Sequence, residues 1–415
     1  MKPPKKWPSK FPLHILLSAA LLALAGCGGS SSNSSSSTGG TQVNNTQPLE
    51  VNLGPANNTT NGLFTDVTIC VPGTGTCQTI PNVLVDTGSE GLRLVSSEVT
   101  LSLPAITDNS SNGLQECINF ADGSYVWGPV VSADIQMAGE KASSVPIQMI
   151  SASPPYPVPS QCTSGGGPDA NTVAQLGANG ILGIGNFQQD CGSACTSSST
   201  APSLYYLCPN SVCQVTTVPL TDQLQNPVWT FPQDNNGVLI SMPSIPADGA
   251  QTASGSLIFG IGTQSDNGLG SAQVYTTDIS GNFQTTYNGI SYSQSYIDTG
   301  SDSIYFLDAS TLGIPDCSDY TGWYCPGSTV NYTVTNSGLN GTTGPVSFSI
   351  ANADALFSAN GGTNAAFNDL GGDSGTSPST DYFDFGMPFF YGRNVFVGIE
   401  NEPGPNGVVG PYWAY

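Results

Sequence analysis

The apolar positions of this 415-residue chain form one long run and many short ones. The long run, Phe11 to Gly26, falls short of the ~20 residues that a membrane-spanning helix needs. It follows a basic stretch, Met1 to Lys10, and ends in Leu24-Ala25-Gly26-Cys27. A basic head, an apolar middle and small residues at the end are the layout of an export signal. Residues 28–46 are almost entirely Gly, Ser, Thr and Asn. Such a segment has nothing to bury and predicts a flexible tether. Further on, the apolar residues come in short runs closed by turn formers. Examples are Val83-Leu84-Val85 before Asp86-Thr87-Gly88-Ser89 and Tyr296-Ile297 before Asp298-Thr299-Gly300-Ser301. Runs of this length predict buried strands. With 50 glycines and 31 prolines, the chain reads as all-β, with short strands and many turns.

Charge narrows the chemistry. The chain has 7 Lys+Arg, 29 Asp+Glu and a single histidine. Lys2, Lys5, Lys6, Lys10 and His14 all fall in the leader, so a processed chain keeps only Arg93, Lys141 and Arg393 as cations. Without histidine there is no Ser-His-Asp or Cys-His machinery and no His-ligated zinc. So few cations cannot follow a phosphate backbone, and no nucleic-acid partner is expected. The work falls to carboxylates, hydroxyls, thiols or a bound ion. The excess of acid also predicts greater stability at pH 4 than at pH 8, because relief of acid–acid repulsion raises native carboxyl pKa values.

Of 11 cysteines, all but Cys27 follow the tether, and an even number in an exported chain reads as disulfides. Near neighbours suggest Cys70–Cys77, Cys191–Cys195, Cys208–Cys213 and Cys317–Cys325, which leaves Cys117–Cys162. A metal–thiolate site is the alternative, disfavoured because no C-x2-C pair is present. Asp108 to Gly113 begins like a calcium-binding loop, but its twelfth position is Asn119 rather than Glu, so a polar turn is expected.

The two Asp-Thr-Gly-Ser segments lie 212 residues apart, each behind an apolar strand. About 90 residues after each comes an apolar-apolar-glycine segment. The first is Ile181-Leu182-Gly183 and the second lies within Phe383-Asp384-Phe385-Gly386. Two halves on one plan predict a duplicated β lobe with a cleft between the copies.

This paired motif resembles the pepsin-like aspartic protease family, from about residue 47 to the end. Leu63 to Ile80 is similar to the family's opening hairpin, Asn179 to Gly183 to its D-G-I-L-G segment, and Gly255 to Gly260 to the strand opening its second lobe. Phe385 to Val397 is similar to its closing segment, although Phe385-Gly386-Met387-Pro388 lacks the usual aspartate. The chain also resembles bacterial lipoproteins of unknown function that carry this pattern. The resemblance implies a bilobal fold, with residues 47–230 and 231–415 as lobes, and Asp86 and Asp298 as a proton-sharing pair that activates water. It implies supporting roles for Thr87, Gly88, Ser89, Thr299, Gly300 and Ser301. No metal or cofactor is expected, the substrate is a peptide or unfolded protein, and a monomer is expected.

The resemblance also places a substrate-covering flap at Ile118 to Ser124, with Phe120, Gly123 and Ser124 as candidate binding residues. Phe120 stands where the family has a tyrosine, and Arg93 stands where it has that tyrosine's tryptophan partner. If Arg93 faced the cleft it would lower the pKa of the pair or bind a substrate carboxylate; otherwise it pairs with Glu90 or another acid. Leu24 to Cys27 resembles the lipobox of bacterial lipoproteins. That implies a signal peptide over residues 1–27, lipid on Cys27, and an exported protein held at the outer membrane. Two functions stay open at this point. One is a lipid-anchored aspartic endopeptidase. The other is a catalytically inactive lipoprotein of the same fold that binds peptides or a protein partner.

Overall fold

A computed structural model describes residues 44–120, 122–197, 201–374 and 382–415. The candidate signal peptide, Cys27 and nearly all of the tether lie outside the described residues. Strand makes up 41% and helix 10%, in two barrel-like sheets, which is the expected all-β bilobal architecture.

The first sheet has 15 strands. Its first half holds Gly62–Cys70, Cys77–Asp86, Glu90–Val95, Leu114–Asn119, Tyr125–Met137, Glu140–Ile150 and Gly180–Ile184. It then runs without a break into strands from both halves of the chain. Thr46–Asn52 pairs with Ala253–Phe259, which pairs with Gly237–Ser241, which pairs with Asn394–Gly398. The early strand Thr46–Asn52 is therefore hydrogen-bonded into the part of the sheet built by the later residues. The second sheet has seven strands, all from the second half.

The sequence repeat is a structural repeat. Val85 pairs in parallel with Leu182, and Asp86 with Gly183. Ile297 pairs in parallel with Phe385 in the same way. The strand after each turn returns antiparallel on that partner, as Leu92 on Leu182 and as Ile304 on Phe385. These strands are apolar on both faces because both faces are covered. Val83, Val85, Leu92, Leu182, Ile297 and Phe385 are buried in one core. Each such side chain contributes roughly 1.5–3 kcal/mol by leaving water. The second lobe fills its centre with rings, Phe306 packing on Tyr332, Phe348 and Phe383.

All five suggested disulfides are present, Cys117–Cys162 among them. The Asp108 carboxylate is occupied by its own loop, accepting from the Ser110 and Asn112 backbone N–H groups and the Asn112 side chain. Buried asparagines tie the halves together. The Asn61 amide donates to the Asp302 and Phe367 carbonyls and accepts from the Phe367 N–H and the Tyr391 hydroxyl. Among the described residues, no helix is long and apolar enough to cross a membrane.

Candidate active site

Each half ends its central strand in an aspartate and then turns sharply. The turn bends the following backbone onto the carboxylate. Gly88 N–H donates to Asp86 Oδ1 at 2.8 Å and the Ser89 hydroxyl to Asp86 Oδ2 at 2.5 Å. In the second half, Gly300 N–H donates to Asp298 Oδ1 at 2.7 Å, and Ser301 Oγ lies 3.1 Å from Asp298 Oδ2.

The threonines cross between the halves. Thr87 N–H donates to Thr299 Oγ1 at 3.1 Å, and Thr299 N–H donates to Thr87 Oγ1 at 3.0 Å. Each hydroxyl then donates onward to the opposite strand, Thr299 to the Val85 carbonyl and Thr87 to the Ile297 carbonyl. Four buried bonds thus fix one loop against the other.

This clamp brings the two acids together. A Cβ on Gly88 would lie 2.7 Å from Asp298 Oδ2, and one on Gly300 would lie 2.7 Å from Asp86 Oδ1. Each glycine is the floor on which the opposite carboxyl rests, so neither position admits a side chain. Asp86 and Asp298 are each 2% exposed. Burial raises the Asp298 carboxyl well above its ordinary range, and the charges of Asp86 and Asp384 and a hydrogen bond with Asp86 add to the rise.

The hairpin of Leu114–Asn119 and Tyr125–Met137 closes in a tight turn, with Phe120 N–H donating to the Ser124 carbonyl and Gly123 N–H to the Phe120 carbonyl. Gly123 has φ +78°, and a Cβ there would meet the Gly165 carbonyl, so glycine is required. Ala121 lies outside the described residues. The Phe120 ring packs among Val95, Val126, Ile150, Ala170 and Ile181. Phe120 and Ser124 also line a cavity of about 420 Å³ that reaches Gly300 and Asp302 beside the second carboxyl. Neither this cavity nor a hollow of about 500 Å³ between Asp278 and Gly341 is lined by Asp86 or Asp298 themselves.

Arg93 does not reach this cavity. It is 1% exposed and its Nη2 contacts Glu116 Oε1 at 2.6 Å and Asp190 Oδ2 at 3.2 Å. Its Nη1 donates to the Glu90 backbone carbonyl, not to the Glu90 carboxylate. Burial alone would lower its pKa, but the charges of Glu116 and Asp190 outweigh burial and raise it. Arg93, a candidate substrate-binding residue, is thus corrected to its other reading, an ion pair with acids of the core. It is the cation of a buried cluster that includes the Tyr205 hydroxyl, which donates to Asp190.

One acid escaped the sequence reading. Asp384 sits inside the second apolar-glycine segment, 2% exposed, with its Oδ2 2.6 Å from Ser301 Oγ. The available signal was a charged residue between Phe383 and Phe385, where the first half has Ile181.

An aspartic proteinase from Irpex lacteus shares this fold at 16% identity and a TM-score of 0.52, covering 89% of this chain and 96% of that one. The likeness establishes the bilobal pepsin-like fold. No curated protein matches the sequence. A family profile described as "Protein of unknown function (DUF3443)" matches residues 41–415, and the chain belongs to that family.

Proposed function

We propose that the chain is an aspartic endopeptidase, exported and held to the cell envelope by lipid on Cys27. The observation that carries this reading is the facing of Asp86 and Asp298, each held by a glycine N–H and approached by a serine hydroxyl from its own turn. A pair that shares one proton offers a base and an acid at the same pH. The ionised member takes a proton from a water between the carboxyls as that water attacks the peptide carbonyl carbon. The protonated member gives its proton to the carbonyl oxygen. Collapse of the tetrahedral intermediate breaks the C–N bond, and the nitrogen leaves with a proton.

The cavity beneath Phe120 and Ser124 suits one side chain of an extended peptide. The five disulfides fit an oxidising compartment outside the cytoplasm. The Cys27 anchor and an outer-membrane position rest on the sequence alone.

The test is digestion of an unfolded protein at pH 3–6, with and without a pepstatin-type inhibitor. Cleavage that the inhibitor stops supports the peptidase. Absence of cleavage by folded, processed protein across that range favours the peptide-binding lipoprotein instead.

A further inference from the structure

We propose that Asp384 is a positioning residue of the site, a third acid that donates its proton to Ser301 and thereby keeps the Ser301 hydroxyl on Asp298. The kinetic consequence rests on the peptidase reading; the geometry does not. Asp384 opens the short strand Asp384–Phe385 and pairs with Tyr296. The matching position in the first half is Ile181, which pairs with Leu84 and is 1% exposed. The fold therefore places an apolar residue here in one copy and a carboxyl in the other.

The hydrogen bonds then require a proton on one of the two acids beside Ser301, and the surroundings of Asp384 place it there. Ser301 Oγ lies 2.6 Å from Asp384 Oδ2 and 3.1 Å from Asp298 Oδ2. A hydroxyl has one proton, so it cannot donate to both. Asp384 is buried with the Ser301 and Tyr296 hydroxyls as its hydrogen-bonding neighbours and no cation beside it among the described residues, which is costly for an ionised carboxylate and much less so for an acid. The groups that act on Asp384 point the same way. Asp86 lies in the opposite turn and Asp302 in its own half, with Asp298 beyond Ser301 and the Tyr296 and Tyr305 phenols nearby. Burial raises Asp384 well above the ordinary carboxyl range, and the charges of Asp302 and Asp86 add to it, while the Ser301 and Tyr296 hydroxyls work against it.

With the proton on Asp384, the sequence of donors closes. Asp384 donates to Ser301 Oγ, and Ser301 donates to Asp298. Loss of that proton turns Ser301 round to serve the new carboxylate. Asp298 then loses its hydroxyl donor and gains a negative neighbour. Activity in the native protein is therefore lost when either Asp384 or the Asp86–Asp298 pair gives up its remaining proton.

The experiment compares the full chain with Asp384→Ile, the residue of the matching position, and Asp384→Asn, a neutral isostere in case the first fails to fold. Both are expected to move the alkaline limb of kcat/KM to higher pH. Denaturant unfolding from pH 4 to 8 supplies a readout without activity. A raised acid adds stability below the ordinary Asp range and loses it as pH rises, about tenfold in the folding constant per pH unit for each proton. The variants are expected to lack one proton's worth of that decline. If they keep the native slope, the inference is overturned. If the slope changes but the limb stays, the link through Ser301 is overturned. If no protein cleaves but the slope changes, the peptidase reading falls and the protonated Asp384 stands.

Discussion

Thr299 serves two buried groups at once, accepting from Thr87 N–H and donating to the Val85 carbonyl. A buried donor left without a partner costs about 1–3 kcal/mol. Thr299→Ala is expected to lose that much stability in denaturant unfolding, and Thr299→Ser to recover most of it. Arg93 makes a contrasting case. Removing the cation leaves Glu116 and Asp190 buried without it, and breaking such a cluster costs about 3–5 kcal/mol. Arg93→Met is therefore expected to destabilise the chain strongly. In the fraction that folds, KM is expected to stay unchanged, because the side chain lies in the core and not in the cavity; a tenfold rise in KM would restore it to the substrate. The difference in legibility is physical. Asp-Thr-Gly-Ser contains an acid, its hydroxyls and its close-approach glycine within four residues, so local sequence carries the whole unit. The partners of Arg93 lie 23 and 97 residues away, and only the strand pairing brings them near.

The elements are readable wherever their burial is symmetric. Val83 to Val85 and Ile181 to Ile184 are covered on both faces, and continuous apolar runs announce them. The aspartate-bearing strand of the second half is less regular, with Ser293 and Gln294 exposed and a bulge where Phe283 meets Ser295. The sharing of one sheet by Thr46–Asn52 and the later strands has no local signal, because register across about 200 residues is set by the fold and not by the run itself. Disulfides act at this scale too. Four bridges close loops of 4 to 8 residues, whereas Cys117–Cys162 spans 45 and ties the hairpin over the cavity to the loop beside it. Loop-closure entropy assigns that bridge about 4 kcal/mol and the Cys70–Cys77 bridge about 2 kcal/mol. Replacing Cys117 and Cys162 with serine is expected to lower the unfolding free energy by roughly twice as much as replacing Cys70 and Cys77. Equal losses would contradict the assignment.

At the scale of the whole molecule, the acids decide how stability follows pH. Burial lifts Asp369 to about 6 and raises Asp190, Asp298 and Asp384 well above their ordinary range. Between about pH 4, where unfolded aspartate ionises, and those higher native values, the folded chain holds protons that the unfolded chain has released. Stability therefore falls as pH rises through that window. Asp108, held low by hydrogen bonds from Asn112, acts in the opposite sense only below it. The melting temperature is expected to be higher at pH 4 than at pH 8, in agreement with the charge balance read from the sequence, and equal values would contradict both arguments. At the centre of the molecule, the two halves are clamped so that Asp86 and Asp298 meet. The most direct test is the rate at which an unfolded protein is cut near pH 4 by the native chain, by Asp86→Asn and by Asp298→Asn, with folding of each checked by circular dichroism. The account predicts cutting by the native chain and a loss of roughly 10²–10⁴-fold in both variants. Cutting by either folded variant at the native rate would contradict it.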